Sequence, residues 1–491
     1  VMEKMILTID QGTTGTGVHL VDARGRVRKS FDKEHRQYYP NPGWVEHDAN
    51  EIWMNVQLGI QNLLKGEKSL KIEAVGITNQ RETTGIWSES GEPLANAIVW
   101  QDLRTSHRCE QLLELGYLDQ IRQTTGLLLN PYFTATKIEW LLNNNVVEHN
   151  SDLAFGTVDS WLLWKLTDGA SYATDVSNAS RTLLYDIKEN QWSSDMCKLF
   201  GIPEAALPEV LPSSGRFGTT SATTAIGAGI PISGIAGDQQ SALFGQACLE
   251  PGMTKNTYGT GSFVLMNAGS ECPEPAEGLL TTVAWDLGNG PTYALEGSIF
   301  VTGAAIQWLR DGLGVISHAS EIGDLAASVP DNGGVFFVPA FAGLGSPWWD
   351  TRARGTIIGI TGGTDRGHLA RAVVEAIAFQ TRDVVEAISQ AAGTPIGEMR
   401  VDGGASVMDL LLQIQANQLG VRVARPTITE TTAQGAAMLA GLAEGMWSDT
   451  GEIHSVWRID KAFTPQSDRK TYDAEHARWL QALERSRFWV D

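Results

Sequence analysis

Asp10 ends an apolar run, Met5-Ile6-Leu7-Thr8-Ile9, and is followed by Gln11-Gly12-Thr13-Thr14-Gly15-Thr16-Gly17. The run predicts a buried strand with an acid at its end. Val18–Val21 predicts the returning strand, and Asp22–Arg26 the turn into a third. The tip between the first two strands carries glycines and threonines and no large apolar side chain. Such a tip offers backbone N–H groups and hydroxyls, and its glycines let the chain come close to a phosphate. An Asp at the strand end is placed to hold Mg²⁺, directly or through water.

The pattern recurs about half the chain later, where Thr254–Tyr258 and Ser262–Met266 flank Gly259-Thr260-Gly261. A single glycine-rich hairpin is usually only a turn. Two in matching positions predict a duplicated lobe, with a nucleotide gripped from both sides of the gap.

The chain has 491 residues, 42% of them hydrophobic and 19% charged, which suits two or three domains with sizeable cores. Its net charge of −20 repels nucleic acid and anionic membrane surfaces. An anionic substrate must therefore be held locally, by N–H groups, a metal and a few cations. Cys109, Cys197, Cys248 and Cys272 have no metal-ligand or CxxC spacing and read as reduced thiols of a cytoplasmic protein. No signal-peptide pattern and no membrane-spanning run is seen, so no integral membrane association is expected.

The elements that must position these residues divide near Leu249–Gly252, giving lobes of residues 1–248 and 252–491. In the first, Ile72–Thr78 and Ala97–Asp102 predict strands, and Leu153–Asp159 predicts a strand feeding a helix from Ser160 to Leu166. Ile230–Ala236 predicts a strand, then a Gly237-Asp238 loop, then a helix. In the second, Val335–Pro339 and Arg400–Asp402 predict strands. Gly403-Gly404 turns into a helix over Leu410–Leu419, and Val373, Ile377, Val384 and Ile388 share one helical stripe. Strands that end in polar loops and feed helices indicate an α/β sheet with its site at the strand ends.

Two hairpins, a Gly-Asp segment and a Gly-Gly loop resemble the parts of the duplicated actin-like ATPase (ribonuclease H-like) fold, two α/β lobes with an interlobe cleft. Within it the chain resembles the FGGY carbohydrate kinases nearly end to end, and among them those that act on glycerol. The resemblance is carried by Asp10–Thr14, Pro42–Asp48, Gly76–Thr84, Asn178–Thr182, Gly234–Gln240, Lys255–Gly261 and Ile306–Asp311. It implies ATP-dependent, Mg²⁺-dependent phosphorylation of glycerol to sn-glycerol 3-phosphate by a homodimer or homotetramer. It implies a polyol site of Arg81, Glu82, Trp100, Tyr132, Asp238, Gln239 and Phe263, with Asp238 as general base. Arg81 can donate to one or two hydroxyls, Glu82 can accept, and aromatic faces can cover the carbons. It implies a nucleotide site of Thr13, Thr14, Gly15, Gly259, Thr260, Gly303, Gln307, Gly404 and Met408, and a metal site of Asp10 and Asp238. Gly303 also reads as a close-packing residue of a helix over Gly303–Leu309.

Three positions depart from the family. The first hairpin usually continues Ser-Ser-Arg, and here it is Gly15-Thr16-Gly17, without the cation. Met408 stands where an Asn often contacts the nucleotide. Some bacterial members bind fructose 1,6-bisphosphate through a Gly-Thr-Arg turn, and Gly229 occupies its Arg position, so no such inhibition is expected. Two other readings stay open at this point. The altered hairpin allows a kinase of a longer polyol or a ketose, such as a pentulose. The missing Arg and Met408 allow a non-catalytic actin-like nucleotide-binding protein.

Overall fold

A computed structural model of the chain describes residues 2–67, 69–144, 153–466 and 469–490. Two sheets organise it. The first contains β1 (Glu3–Gln11), β2 (Gly15–Asp22), β3 (Val27–Glu34), β4 (Leu70–Asn79), β5 (Ser214–Thr219) and β6 (Pro231–Gly237), in the order β5-β6-β4-β1-β2-β3. The second contains β7 (Thr254–Tyr258), β8 (Ser262–Gly269), β9 (Leu280–Asp286), β10 (Pro291–Ile299), β11 (Glu398–Asp402), β12 (Arg422–Pro426) and β13 (Ile459–Phe463), in the order β9-β10-β8-β7-β11-β12-β13. In each, the strand before the Gly/Thr tip pairs antiparallel with the strand after it and parallel with a central strand. Apart from the extra edge strand β9, the two orders match position by position, so the duplication extends from the hairpins to the whole sheet.

The central strands are apolar on both faces because helices cover them. Met5, Leu7, Ile9, Val75, Ile77, Ile232 and Ile235 are buried in one core, and Val264, Leu295, Met399, Val401 and Val423 in the other. Four helices bear on the site: α1 (Asp238–Gly245), α2 (Gly303–Asp311), α3 (Arg366–Ala392) and α4 (Thr431–Ala443). The expected stripe of Val373, Ile377, Val384 and Ile388 lies on α3 and is buried throughout. A capping box from Asp365 and His368 opens that helix, and Gly393 at φ 72° ends it.

Two features cross between the halves. Helix α4, from the second half of the sequence, packs on β1, β4 and β6 of the first sheet and crosses α1. The hairpin β9–β10 belongs to the second sheet but is fastened to the first lobe. The Ser180 hydroxyl pairs with that of Thr282 at 2.9 Å and accepts from the Val283 N–H at 3.1 Å, and Tyr293 Oη donates to Ile187 O at 2.6 Å.

Two expectations need correction. Over Ala97–Asp102 only Ala97–Ile98 is a strand. The chain then turns, because the Asp102 carboxylate accepts from the N–H groups of Val45 and Arg104, and the Asp102 N–H donates to Val99 O. There is also no Gly-Asp loop: Gly237 is the helix N-cap, and Asp238 is already the first residue of α1. No helix among the described residues is long and apolar enough to cross a membrane.

Candidate active site

At the β1–β2 tip the Gly12 N–H closes on Gly15 O at 2.9 Å. The tip carbonyls are then consumed by donors behind them. Gly12 O accepts from Gln11 Nε2 and Gln80 Nε2, both at 3.1 Å, Thr13 O from Gln37 Nε2 at 2.9 Å, and Thr14 O from the His35 N–H at 3.2 Å. The Thr13 and Thr14 N–H groups donate to no described residue. The β7–β8 tip repeats this polarity. The Gly259 N–H donates to Gly261 O at 2.8 Å, Gly259 O accepts from the Gly303 N–H at 3.0 Å, and Thr260 O from Thr302 and Ala304 at 2.8 and 3.1 Å. The Thr260 N–H is again left over. Acceptors tied back and donors left forward make both tips electropositive, as an anion requires.

Gly303 bears out its packing role: a Cβ there would lie 2.8 Å from Gly259 O, so α2 can abut the hairpin only through glycine. Gln307, one turn on, is exposed. Gly404 is exposed with open space around it, whereas its neighbour Gly403, at φ 87°, is pressed against Tyr258. Met408 caps the helix Asp409–Leu419 and packs half-buried on the second core. At Gly15 a side chain would meet Lys33 O at 2.9 Å, and at Gly17 it would meet His19 Nε2 at 2.7 Å and Asp32 Oδ1 at 3.1 Å. A side chain at Gly17 would thus have to displace those of His19 and Asp32.

The acceptor side is built on a γ-turn. Glu82 has φ 61°, and the Thr83 N–H donates to Arg81 O at 2.7 Å. This geometry costs of the order of 1–3 kcal/mol. It bends the chain so that the adjacent side chains of Arg81 and Glu82 both turn into the pocket, where a strand would have sent them to opposite faces. Tyr132 Oη accepts from Arg81 Nη2 at 3.2 Å, Trp100 packs edge-on to Tyr132 at 5.6 Å, and the Phe263 ring lies 5.7 Å from the Arg81 guanidinium. Asp238 Oδ1 lies 3.5 Å from Arg81 Nε and accepts from the Gln239 N–H at 2.8 Å. Gln239 turns its amide oxygen to the Lys255 ammonium. All seven expected polyol-site residues therefore gather in one pocket.

Three members of the pocket had no role in the sequence reading. Glu296 on β10 grips Arg81 through both terminal nitrogens, at 2.7 and 2.8 Å. Arg181 donates through Nε to Glu82 Oε1 at 2.6 Å and reaches Glu296 at 3.2 Å. Lys255 is buried and also donates to Thr257 Oγ1 at 2.9 Å. Their signals were faint: an acid inside the apolar strand Tyr293–Ile299, and two cations inside recognised motifs.

Burial raises the Glu296 carboxyl, yet Arg181 and Arg81 hold it down to about 2, so it stays ionised. Burial brings the Lys255 ammonium down to about 8, against the pull of Asp402 and Glu296. Burial also raises Asp238, with Arg81, the Gln239 N–H and Lys255 restraining it.

The two sides meet at two points. Trp100 Nε1 donates to Thr13 Oγ1 at 2.8 Å, so an acceptor-site aromatic carries a phosphate-tip hydroxyl. Asp10, half-buried at the end of β1, is pushed up to about 7 by burial and then by the charges of Asp238 and Asp32. Among the described residues no three His, Cys, Asp or Glu side chains form a ready metal cage. Mg²⁺ typically takes one or two carboxylates and completes its shell with water and substrate phosphates, and Asp10 with Asp238 fits that donor set.

Residues 5–245 match the N-terminal domain, and residues 254–444 the C-terminal domain, of the FGGY family of carbohydrate kinases. A Thermotoga maritima protein named glycerol kinase 2 is 52% identical over 494 residues, 99% of this chain and 99% of its own. A Trichlorobacter lovleyi protein named glycerol kinase is 53% identical over 493 residues, again 99% of each. A crystal structure of Plasmodium falciparum glycerol kinase with ADP superposes with a TM-score of 0.93 at 36% identity, covering 99% of this chain and 98% of that one.

Proposed function

The chain belongs to the FGGY family of carbohydrate kinases, and from that premise we propose that it transfers the γ-phosphoryl group of ATP to glycerol, forming sn-glycerol 3-phosphate and ADP. The observation that carries this is the joining of two half-sites. A small pocket of paired charges and aromatic faces lies next to a phosphate-type tip, and Trp100 bonds to Thr13 across the join.

Asp238 is the general base. Its Oδ1 is occupied by the Gln239 N–H, and no described residue donates a hydrogen bond to its Oδ2. An acceptor hydroxyl that donates to Oδ2 loses its proton there as its oxygen attacks phosphorus. Burial raises the carboxyl, which strengthens it as a base. Arg81, Glu82 and Gln239 orient the hydroxyls, and Trp100, Tyr132 and Phe263 cover the carbon chain and keep water out. In this reading the Thr13, Thr14 and Gly15 tip and the Gly259-Thr260 tip bind the phosphates, and Gly303, Gln307, Gly404 and Met408 bind the nucleoside. Asp10 and Asp238 would hold Mg²⁺, which when bound neutralises charge on the phosphates. The division into residues 1–248 and 252–491 is part of this reading, as is a cytoplasmic setting, supported by four free cysteines.

Coupled ADP release, measured with glycerol against a panel of longer polyols and pentuloses, tests the assignment. Glycerol should give the highest kcat/KM, and a pentulose ahead of it would sink the reading. In the same assay Asp238→Asn should lower kcat by about a thousandfold or more, with glycerol binding largely kept. A mutant that keeps most of its rate removes Asp238 as the base.

A further inference from the structure

A guanidinium has five N–H donors, and four of those of Arg81 are committed inside the protein. Glu296 takes one on each terminal nitrogen, Gln240 Oε1 takes the second on Nη1 at 3.2 Å, and Tyr132 Oη the second on Nη2 at 3.2 Å. Only Nε–H remains, on the side of Asp238 at 3.5 Å and Glu82 at 3.8 Å. Glu296 is fully buried, sits on a hairpin fastened to the opposite lobe, and is also gripped by Arg181. We propose that Glu296 is a positioning residue for phosphoryl transfer: it clamps Arg81 edge-on, so that one N–H faces the acceptor and the Asp238 carboxylate is left free to receive the hydroxyl proton. This rests on the reading of the pocket as the acceptor site.

The physical reason is competition between carboxylates. Asp238 and Glu82 are the other acids in ion-pair range of Arg81. Released from Glu296, the guanidinium fork would turn toward them, and the bidentate geometry that Arg favours would cover the oxygen meant for the acceptor. The clamp therefore works as much by what it denies Arg81 as by what it offers. Tyr132 shares in it, because its hydroxyl fills the last terminal N–H while its ring walls the pocket.

Two substitutions break the two-point clamp in different ways. Glu296→Asp keeps the charge but withdraws the carboxylate by one methylene, so it cannot span both terminal nitrogens. Glu296→Gln keeps the shape but offers a single acceptor. Steady-state kinetics should be run with whichever acceptor of the panel the parent chain turns over fastest, alongside thermal unfolding. For both variants we expect the acceptor KM to rise and kcat to fall by about tenfold each, with the KM for ATP within about twofold of the parent. Parent kinetics for E296D would overturn the proposal. So would a fall in kcat with the acceptor KM unchanged, the mark of a smaller folded fraction. If E296Q does not fold, E296D decides alone, and failure of both to fold would make Glu296 a folding residue instead. An acceptor other than glycerol at the head of the panel would count against the functional reading and leave this comparison intact.

Discussion

His47 lies fully buried between two glutamines, donating through Nε2 to Gln37 Oε1 at 2.6 Å and accepting at Nδ1 from Gln80 Nε2 at 3.2 Å, a tautomer set by the network. Those glutamines hold the carbonyls of Thr13 and Gly12, so this ring props the first phosphate tip. Protonation would set an N–H against the Gln80 amide. Burial, and then the neighbouring His35, bring the ring down to about 3 from 6.5. The folded state therefore resists a proton that the unfolded chain takes up readily. Above pH 6.5 this costs nothing, and the cost grows as pH falls from 6.5 toward 3. Between about pH 7.5 and about pH 5 the parent should lose about 2 kcal/mol more stability than His47→Gln, read from urea unfolding. Parallel losses in the two proteins would refute this. The same scale shows what the sequence could not display. Arg81 and Glu82 are legible as an adjacent pair, but nothing in the letters announces a positive φ at a glutamate. The partnership of Glu296 with Arg81 and Arg181 spans more than a hundred residues, so no local spacing could reveal it.

Among the elements, the crossing of α1 and α4 is tight enough to transmit a change straight to the base. A Cβ on Gly435 would lie 1.8 Å from Ser241 O, and one on Gly245 would lie 2.0 Å from Thr431 O. Backbone touches backbone there, so neither helix can relieve a clash by rotating a side chain. Asp238 begins α1, and α4 rests on the first sheet, so a methyl group must push the base away from Arg81 or lift α4 off the strands. Gly435→Ala should lower stability by about 1–3 kcal/mol, as overpacking does. It should also lower kcat more than the KM for ATP, since the tips are not in its path. Unchanged melting temperature and kcat would show the crossing to be slack. The Gly/Thr hairpins were legible because apolar runs flank glycine-rich tips, and α3 because the stripe from Val373 to Ile388 keeps helical spacing within a helix of 27 residues. The attachment of β9–β10 to the other lobe was not, since it rests on scattered hydroxyls and a shared core whose members look like any strand residues.

For the molecule as a whole, a net charge of −20 means that anions bind only where the backbone or a local cation is arranged for them. At the two tips the arrangement is visible, with carbonyls tied back and N–H groups left forward. The turn at residues 225–229, exposed only at Ala228 and Gly229 and placed where some members of the family hold fructose 1,6-bisphosphate, is built the other way. Its sequence, Ala225-Ile226-Gly227-Ala228-Gly229, has no cation. The Gly227 N–H donates to Thr224 O at 3.0 Å, the Gly229 N–H to Thr220 O at 2.8 Å, and the Ala225 N–H to Gln57 Oε1 at 2.7 Å. The Ile230 N–H goes to Thr220 Oγ1 at 3.0 Å. Four of the donors here, those of Ala225, Gly227, Gly229 and Ile230, are spent on holding the turn, and those of Ile226 and Ala228 alone donate to no described residue. With no cation beside them, the net negative charge of the molecule repels a polyanion. Glycerol phosphorylation should therefore proceed at an unchanged rate in millimolar fructose 1,6-bisphosphate, with Mg²⁺ held in excess. Clear inhibition that persists when the ATP concentration is raised would mean that a second anion site exists on this surface despite its field, and the account of where this chain tolerates phosphate would fail with it.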